Sequence, residues 1–293
     1  VRVANGAPVS CSPQARVRME QGRARVEARL ADGLAHYGIN TGFGALAEVR
    51  IDSHDLATLQ TNLVRSHASG VGEPLPCDAV RAAMLLRVAV LATGYSGVRP
   101  VVADTLIAML NARVHPRIPS RGSVGASGDL APLAHMALAL IGEGQVEYRG
   151  QICDAACALS DAGIAPVALA PKEGLALING TQVLTAVGCL ALHEGLHLAL
   201  AADVTGAMSV EALLGTPAAF DPRIHAARPH PGQVASAAAL RAMFEGSQIR
   251  ESHRACGKVQ DPYSLRCMPQ VHGAVRDSLD HVRRVVGARG RGG

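Results

Sequence analysis

Apolar residues recur along this chain at three- and four-residue spacing, the period of helices that bury one face. Over residues 53–67, Leu56, Leu59, Leu63 and Val64 share one side, and Ser53 stands where an N-cap belongs. Residues 78–92 and 100–114 read as two further helices, separated by the breaker Gly94-Tyr95-Ser96-Gly97. Another helix is expected over 130–141. Residues 145–151, with Val146, Tyr148 and a turn at Gly150, are the best strand or hairpin. From 172 to 214 the pattern is almost continuously helical and apolar, as expected of a central helix packed on all sides. The prolines and glycine of 221–233 predict a loop, and 264–286 a last helix.

These elements predict a mainly α fold in three parts. Residues 1–165 form an N-terminal domain, 166–286 a partial bundle of long helices, and 287–293 an irregular Gly/Arg tail. Composition agrees with helices. Hydrophobic residues make up 48% of the 293, only 2% are aromatic, and there is no tryptophan. A β-sandwich is usually richer in aromatic and β-branched residues.

Charge and cysteine content narrow the partners. The net charge of +4 is mild, and the basic residues are scattered without interleaved aromatics, so nucleic acid is not an expected partner. The seven cysteines (11, 77, 153, 157, 189, 256 and 267) form no zinc-type set, and no metal is expected. An odd cysteine count without a secretion signal points to reduced thiols in the cytoplasm. Residues 183–202 raise the membrane question. Thr185, His193, Glu194 and His197 interrupt them, however, and a charge in mid-span is costly in lipid, so a buried core helix is expected. The chain begins at Val1, and Lys172 and Lys258 are the only lysines among 28 basic residues, a bias expected of a GC-rich gene. On that ground the tail is expected to be a frameshift or truncation product, with a flexible terminus as the plain alternative.

The most informative segment is Arg121-Gly-Ser-Val-Gly-Ala-Ser-Gly-Asp-Leu-Ala-Pro-Leu-Ala-His135. If the Gly128 nitrogen attacks the Ala126 carbonyl carbon, a five-membered ring closes. Loss of two waters then leaves Ser127 as an exocyclic methylene, an electrophile made without any added cofactor. Closure needs a tight turn and an unhindered nitrogen, which glycine provides. Asp129 and Pro132 then open a helix, as such residues do near N-termini. A P-loop would need Gly-Lys-Ser/Thr, and no lysine is near. In a hydrolase elbow, Gly-x-Ser-x-Gly, the second glycine would fall where Asp129 stands. A plain Gly-rich loop before a helix remains the structural alternative.

With these residues the chain resembles the aromatic amino acid ammonia-lyase family, whose methylidene-imidazolone prosthetic group forms from this triad. Further motifs follow in family order from Tyr37 to about Arg284. Tyr37-Gly-Ile-Asn-Thr-Gly-Phe-Gly44 is similar to the family's N-terminal signature, and the resemblance makes Tyr37 a candidate base for the β-proton. A phenol with an ordinary pKa near 10 is a poor base at neutral pH, so such a site must depress it. Ser66-His67 resembles the selectivity position of the histidine-specific branch, which implies substrate binding by His67. By position alone, a histidine there is a helix C-cap. Asn179, a polar residue within an apolar helix, matches an asparagine near the prosthetic group. In Val259-Gln-Asp-Pro-Tyr-Ser-Leu-Arg-Cys267, the resemblance assigns Arg266 to the substrate carboxylate, which suits a planar guanidinium. It gives Tyr263 a share in proton handling and Gln260 a part in positioning. Arg228-Pro-His-Pro-Gly-Gln233 is a further, structural match.

The resemblance implies ammonia elimination from L-histidine to give urocanate, by a homotetramer whose sites combine loops of different subunits. No membrane partner is implied. Family members are longer. What lies beyond this chain's match holds more bundle helices, an acidic residue near the substrate ring and much of the interface, so an inactive fragment is the second reading. A phenylalanine or tyrosine lyase, or an aminomutase, is the third. His193-Glu-Gly-Leu-His197 also reads as an H-E-x-x-H zinc peptidase motif, but Leu200 breaks its longer form and no third ligand is evident.

Overall fold

The computed structural model describes residues 1–124, 128–255 and 257–290, and it is mostly helical. It divides into two compact units, Val1–Cys189 and Leu190–Arg289.

In the first unit, α1 (Pro13–Ala31), α2 (Leu56–His67), α3 (Cys77–Leu91) and α4 (Pro100–Ala112) precede α5 (Leu130–Leu140), α6 (Ala155–Asp161) and α7 (Glu173–Ile178). Helix α8 (Gln182–Ala212) begins in this unit. Helices α2, α5 and α7 pack on one another, and α3 packs on α4. Met84, Leu91, Leu106, Leu133, Met136 and Leu140 are fully buried. Each such side chain contributes roughly 1.5–3 kcal/mol relative to exposure. Two small antiparallel sheets sit beside the helices. One joins β1 (Val71–Pro74) to β3 (Pro119–Arg121). The other has the order β2 (His115–Pro116), β4 (Gln145–Tyr148), β5 (Gln151–Asp154). The expected hairpin is β4–β5. Arg149 and Gly150 both have positive φ (51° and 76°), as a two-residue hairpin turn of the right twist requires.

The second unit holds the rest of α8, then α9 (Pro222–Ala226), α10 (Pro231–Met243), α11 (Gln248–Ser252), α12 (Tyr263–Arg266) and α13 (Met268–Gly290). Its core stacks Phe220 on Phe244, with ring centroids 5.9 Å apart, among Val210, Leu240, Leu265 and Met268. Asp203 of α8 is buried and accepts from Ser236 Oγ (2.7 Å) on α10 and from His272 Nδ1 (2.8 Å) and Arg276 Nη2 on α13. One carboxylate thus ties three helices. A buried charge is tolerated only when it is paired in this way.

Several local expectations are corrected. Helix α2 begins at Leu56 with Asp55 as N-cap, not at Ser53, because the chain first turns with Asp55 N–H bonded to Asp52 O (3.0 Å). Residues 221–233 are largely helical. Pro222 and Pro231 each sit in the first turn, where the missing N–H costs nothing, and the Asp221 carboxylate caps α9 through Arg223 N (2.9 Å). The helix expected over 172–214 is broken between Ile178 and Gln182. Nor is α8 packed on all sides. Leu184, Leu198 and Met208 are 60%, 70% and 65% exposed, because no neighbour covers those faces among the described residues. By length and composition α8 could cross a membrane.

Candidate functional site

Ala126 and Ser127, the first two residues of the predicted ring, lie outside the described residues, as does Gly125. Gly128 is described and carries much of the local geometry. Its φ is +90°, and it forms a parallel bridge with Gly180. A Cβ built on Gly128 would collide with the Gly180 carbonyl oxygen, so both backbone conformation and space demand glycine. The next amide, Asp129 N–H, donates to that same oxygen at 2.7 Å.

Asp129 stands at the N-cap position of α5 but its side chain does not cap that helix. The buried carboxylate instead accepts from Ser123 Oγ (2.6 Å) and from the Leu184 amide (2.9 Å) in the first turn of α8. It therefore neutralises an orphan donor at the positive end of a different helix. The two helices are fastened together beside Gly128.

Asn179 is the C-cap of α7, with extended dihedrals (φ −86°, ψ 105°) that end the helix. Arg87 of α3 holds that ending. Its Nη1 donates to the carbonyls of Ala176 (2.6 Å) and Asn179 (3.2 Å), and its Nη2 to Gln182 Oε1. The guanidinium is 1% exposed, and burial lowers its pKa to about 10, which leaves it charged at neutral pH. It completes the C-terminal turn of α7, whose last carbonyls would otherwise lack partners. A Cβ on Gly180 would meet Arg87 Nη2 and Gln182 Oε1, so a side chain there would have to displace the guanidinium from its place.

Helix α7 also organises the other residues expected in this unit. Gly38, next to Tyr37, packs on the Leu175 side chain. Tyr37 is 60% exposed, with its ring edge-to-face on Phe43 at 6.1 Å. From α2, Gln60 Oε1 accepts the Leu175 amide (3.2 Å). The last residue of α2 is His67, whose Nδ1 lies 2.9 Å from the Leu63 carbonyl oxygen. A carbonyl only accepts, so Nδ1 carries a proton, and in the neutral ring Nε2 is then the acceptor. Nearby, burial holds the His135 imidazole below its usual pKa. Its Nε2 accepts the Gly70 amide at 3.1 Å, fixing the chain just after Ser66-His67.

In the second unit, Gln260, Tyr263 and Arg266 form one cluster. The Arg266 guanidinium lies over the Tyr263 ring, 4.1 Å from its centroid. The Gln260 amide oxygen, in the orientation that guanidinium dictates, accepts from Arg266 Nε and Nη2, each at 3.1 Å. Gln260 and Arg266 line a cleft of about 410 Å³ with Asp261, Ile224 and Gln270. Asp261 is buried and accepts the Thr216 amide at 2.6 Å, anchoring the strand of chain that bears Gln260. A cation stacked on an aromatic ring and opening into a cleft suits recognition of a carboxylate. Tyr263 itself is 72% exposed.

The remaining motifs make local contacts. Gln233 Nε2 donates to His225 Nδ1 (2.9 Å), and the Gly232 amide donates to Asp277 Oδ1 (2.8 Å), seating α10 on α13. His193 and His197 meet edge to face at 4.3 Å, and His197 Nδ1 bonds the His193 carbonyl (2.9 Å). Among the described residues, no group of three or more His, Cys, Asp or Glu side chains is arranged to hold a metal ion.

Sequence reasoning missed Arg87 and Gln182, and it gave Asp129 only a local part. The signal for Arg87 was present as a cation inside the apolar run of α3. Its partners lie about ninety residues away, beyond the reach of any local pattern.

Comparison with known proteins places this geometry in context. The family model described as aromatic amino acid lyase matches residues 1–289. A histidine ammonia-lyase of Sorangium cellulosum (strain So ce56) is 57% identical over 277 residues, 94% of this chain and 54% of that protein. The crystal structure of histidine ammonia-lyase from Trypanosoma cruzi superposes with a TM-score of 0.84 at 40% identity, covering 97% of this chain and 52% of that one. The tyrosine aminomutase of Streptomyces globisporus superposes with a TM-score of 0.91 at 38% identity, covering 99% and 58%. The chain thus spans a little over half the length of the relatives it matches.

Proposed function

Because this chain belongs to the aromatic amino acid lyase family, we propose that it serves the elimination of ammonia from L-histidine, giving urocanate. The observation that carries the reading is Gly128, held at positive φ against Gly180 directly after Ala126-Ser127 and beside Asn179. The prosthetic group expected of the triad fits these residues, since its nitrogen would come from a glycine whose Cβ position is already filled by the Gly180 carbonyl. When formed, the methylidene-imidazolone supplies an electrophile for the substrate amine or ring.

The chain's own residues take the remaining roles. Arg266, steadied by Gln260 and Tyr263, binds the α-carboxylate. His67 offers Nε2 as an acceptor to an imidazole N–H of the substrate, a contact that a phenyl ring could not return. This favours histidine over phenylalanine, and the 57% identity to a histidine lyase against 38% to a tyrosine aminomutase favours histidine over tyrosine. Tyr37 and Tyr263 hold or move the β-proton, and Asn179 borders the prosthetic group. We read the exposed leucines of α8 as faces for further copies of the chain in a cytoplasmic homotetramer, without nucleic acid or lipid as partner.

That same exposure favours one second reading, in which this length of chain alone is inactive. Two measurements test both. Mass analysis of the peptide over residues 122–130 is expected to show the loss of two waters. Incubation with L-histidine is expected to raise the ultraviolet absorbance of urocanate, with no such product chemistry from phenylalanine or tyrosine. Dehydration without turnover would select the inactive reading, and an unmodified Ala-Ser-Gly would refute the proposed prosthetic group.

A further inference from the structure

Arg87 lies outside every motif that suggested the function, yet its donors converge on a single turn. Nη1 reaches the carbonyls of Ala176 and Asn179, and Nη2 reaches Gln182 Oε1, so one planar group spans the end of α7 and the start of α8. Between these anchors lies Gly180, whose missing side chain makes room for the guanidinium. The Gly180 carbonyl in turn accepts Asp129 N–H at 2.7 Å and fills the Cβ position of Gly128. A shift in the guanidinium is therefore passed through Gly180 to the nitrogen that closes the ring.

We infer that Arg87 is a positioning residue, a buried clamp that sets the turn 179–182 and, through the Gly180 carbonyl, the placement of Gly128. A rigid fork is needed for this, because the acceptors are spread over both helices. The single ammonium of a lysine could serve only part of them. The clamp also fixes the backbone of Asn179, whose carbonyl it holds, so one residue orders two sides of the proposed site. Its consequence for the prosthetic group rests on the lyase reading, but the clamp itself does not.

The test compares wild type with Arg87→Lys and Gln182→Leu by amide hydrogen exchange and by the mass of the 122–130 peptide. Gln182→Leu removes only the Nη2 acceptor and carries the test if Arg87→Lys unfolds the chain. The expected result is at least tenfold faster exchange at the Asp129 amide, while Leu106 in the core of α4 is unchanged. A merely structural role would accelerate both alike, and that result, or no acceleration at Asp129, overturns the inference. The dehydrated fraction should fall at least fivefold in the same variants. A wild-type chain with no loss of water would refute the lyase reading alone, and the exchange ratio would still decide the clamp.

Discussion

The carbonyl oxygen of Gly180 occupies the space that a side chain on Gly128 would need, and it also accepts the Asp129 amide at 2.7 Å. Two segments far apart in sequence are thereby locked edge to edge where the ring is proposed to close. At φ +90°, Gly128 is in a conformation that costs an L-residue about 1–2 kcal/mol even without a collision. Gly128→Ala is expected to lose at least about 2 kcal/mol of stability and to abolish dehydration of the 122–130 peptide. Urea denaturation and peptide mass read the two effects separately.

Removing the Asp129 carboxylate leaves the Ser123 hydroxyl and the Leu184 amide without their acceptor. Asp129→Ala should cost about 1–3 kcal/mol, the range for a lost cap and an unsatisfied buried donor. Asp129→Asn keeps one oxygen acceptor and should lose less. Exchange at Leu184 should rise in the alanine variant before that of the α4 core.

In the second unit, Asp203→Ala would take from the Arg276 guanidinium its buried carboxylate partner and from Ser236 Oγ and His272 Nδ1 their acceptor. Breaking a buried pair in this way costs about 3–5 kcal/mol. The expected outcome is loss of helical signal at lower denaturant from residues 190–289, with the first unit melting later. A single unchanged transition would contradict it.

His115 gives the pH dependence its sign. Its imidazole is buried beside Arg81 and Arg113, and burial first, then these charges, push its pKa down to about 4. The unfolded chain, with an ordinary histidine near 6.5, binds the proton where the folded chain does not. Stability from this residue is therefore complete above pH 6.5, falls between 6.5 and 4, and is level below that. Denaturation midpoints at pH 7 and pH 5 should differ in wild type, and the difference should shrink in His115→Gln.

Much of the fold was legible because helical period and turn chemistry are local. The apolar spacing located α3, α4 and α5, and Tyr148-Arg149-Gly150 located a hairpin whose turn needs two positive φ values. Prolines misled the reading of 221–233, since the same residue that breaks a helix interior is welcome in its first turn. The triad, Tyr37, His67, Asn179, Gln260, Tyr263 and Arg266 were all singled out from sequence. What the sequence lacked was their support. The run from 172 to 214 carries an unbroken apolar pattern, yet it is interrupted where Arg87 supplies carbonyl partners from another helix.

By itself the sequence determined the helical class, the hairpin, the family and the residues on which the chemistry is proposed to rest, because each is written in neighbouring positions. Only the tertiary structure decided that α7 stops at Ile178, that Asp129 caps α8 and not its own helix, and that Arg87 clamps the turn at Gly180. Each of these depends on a hydrogen bond between residues 55 to 95 positions apart. Local periodicity carries no information about such bonds, and they form only once packing has brought the helices together.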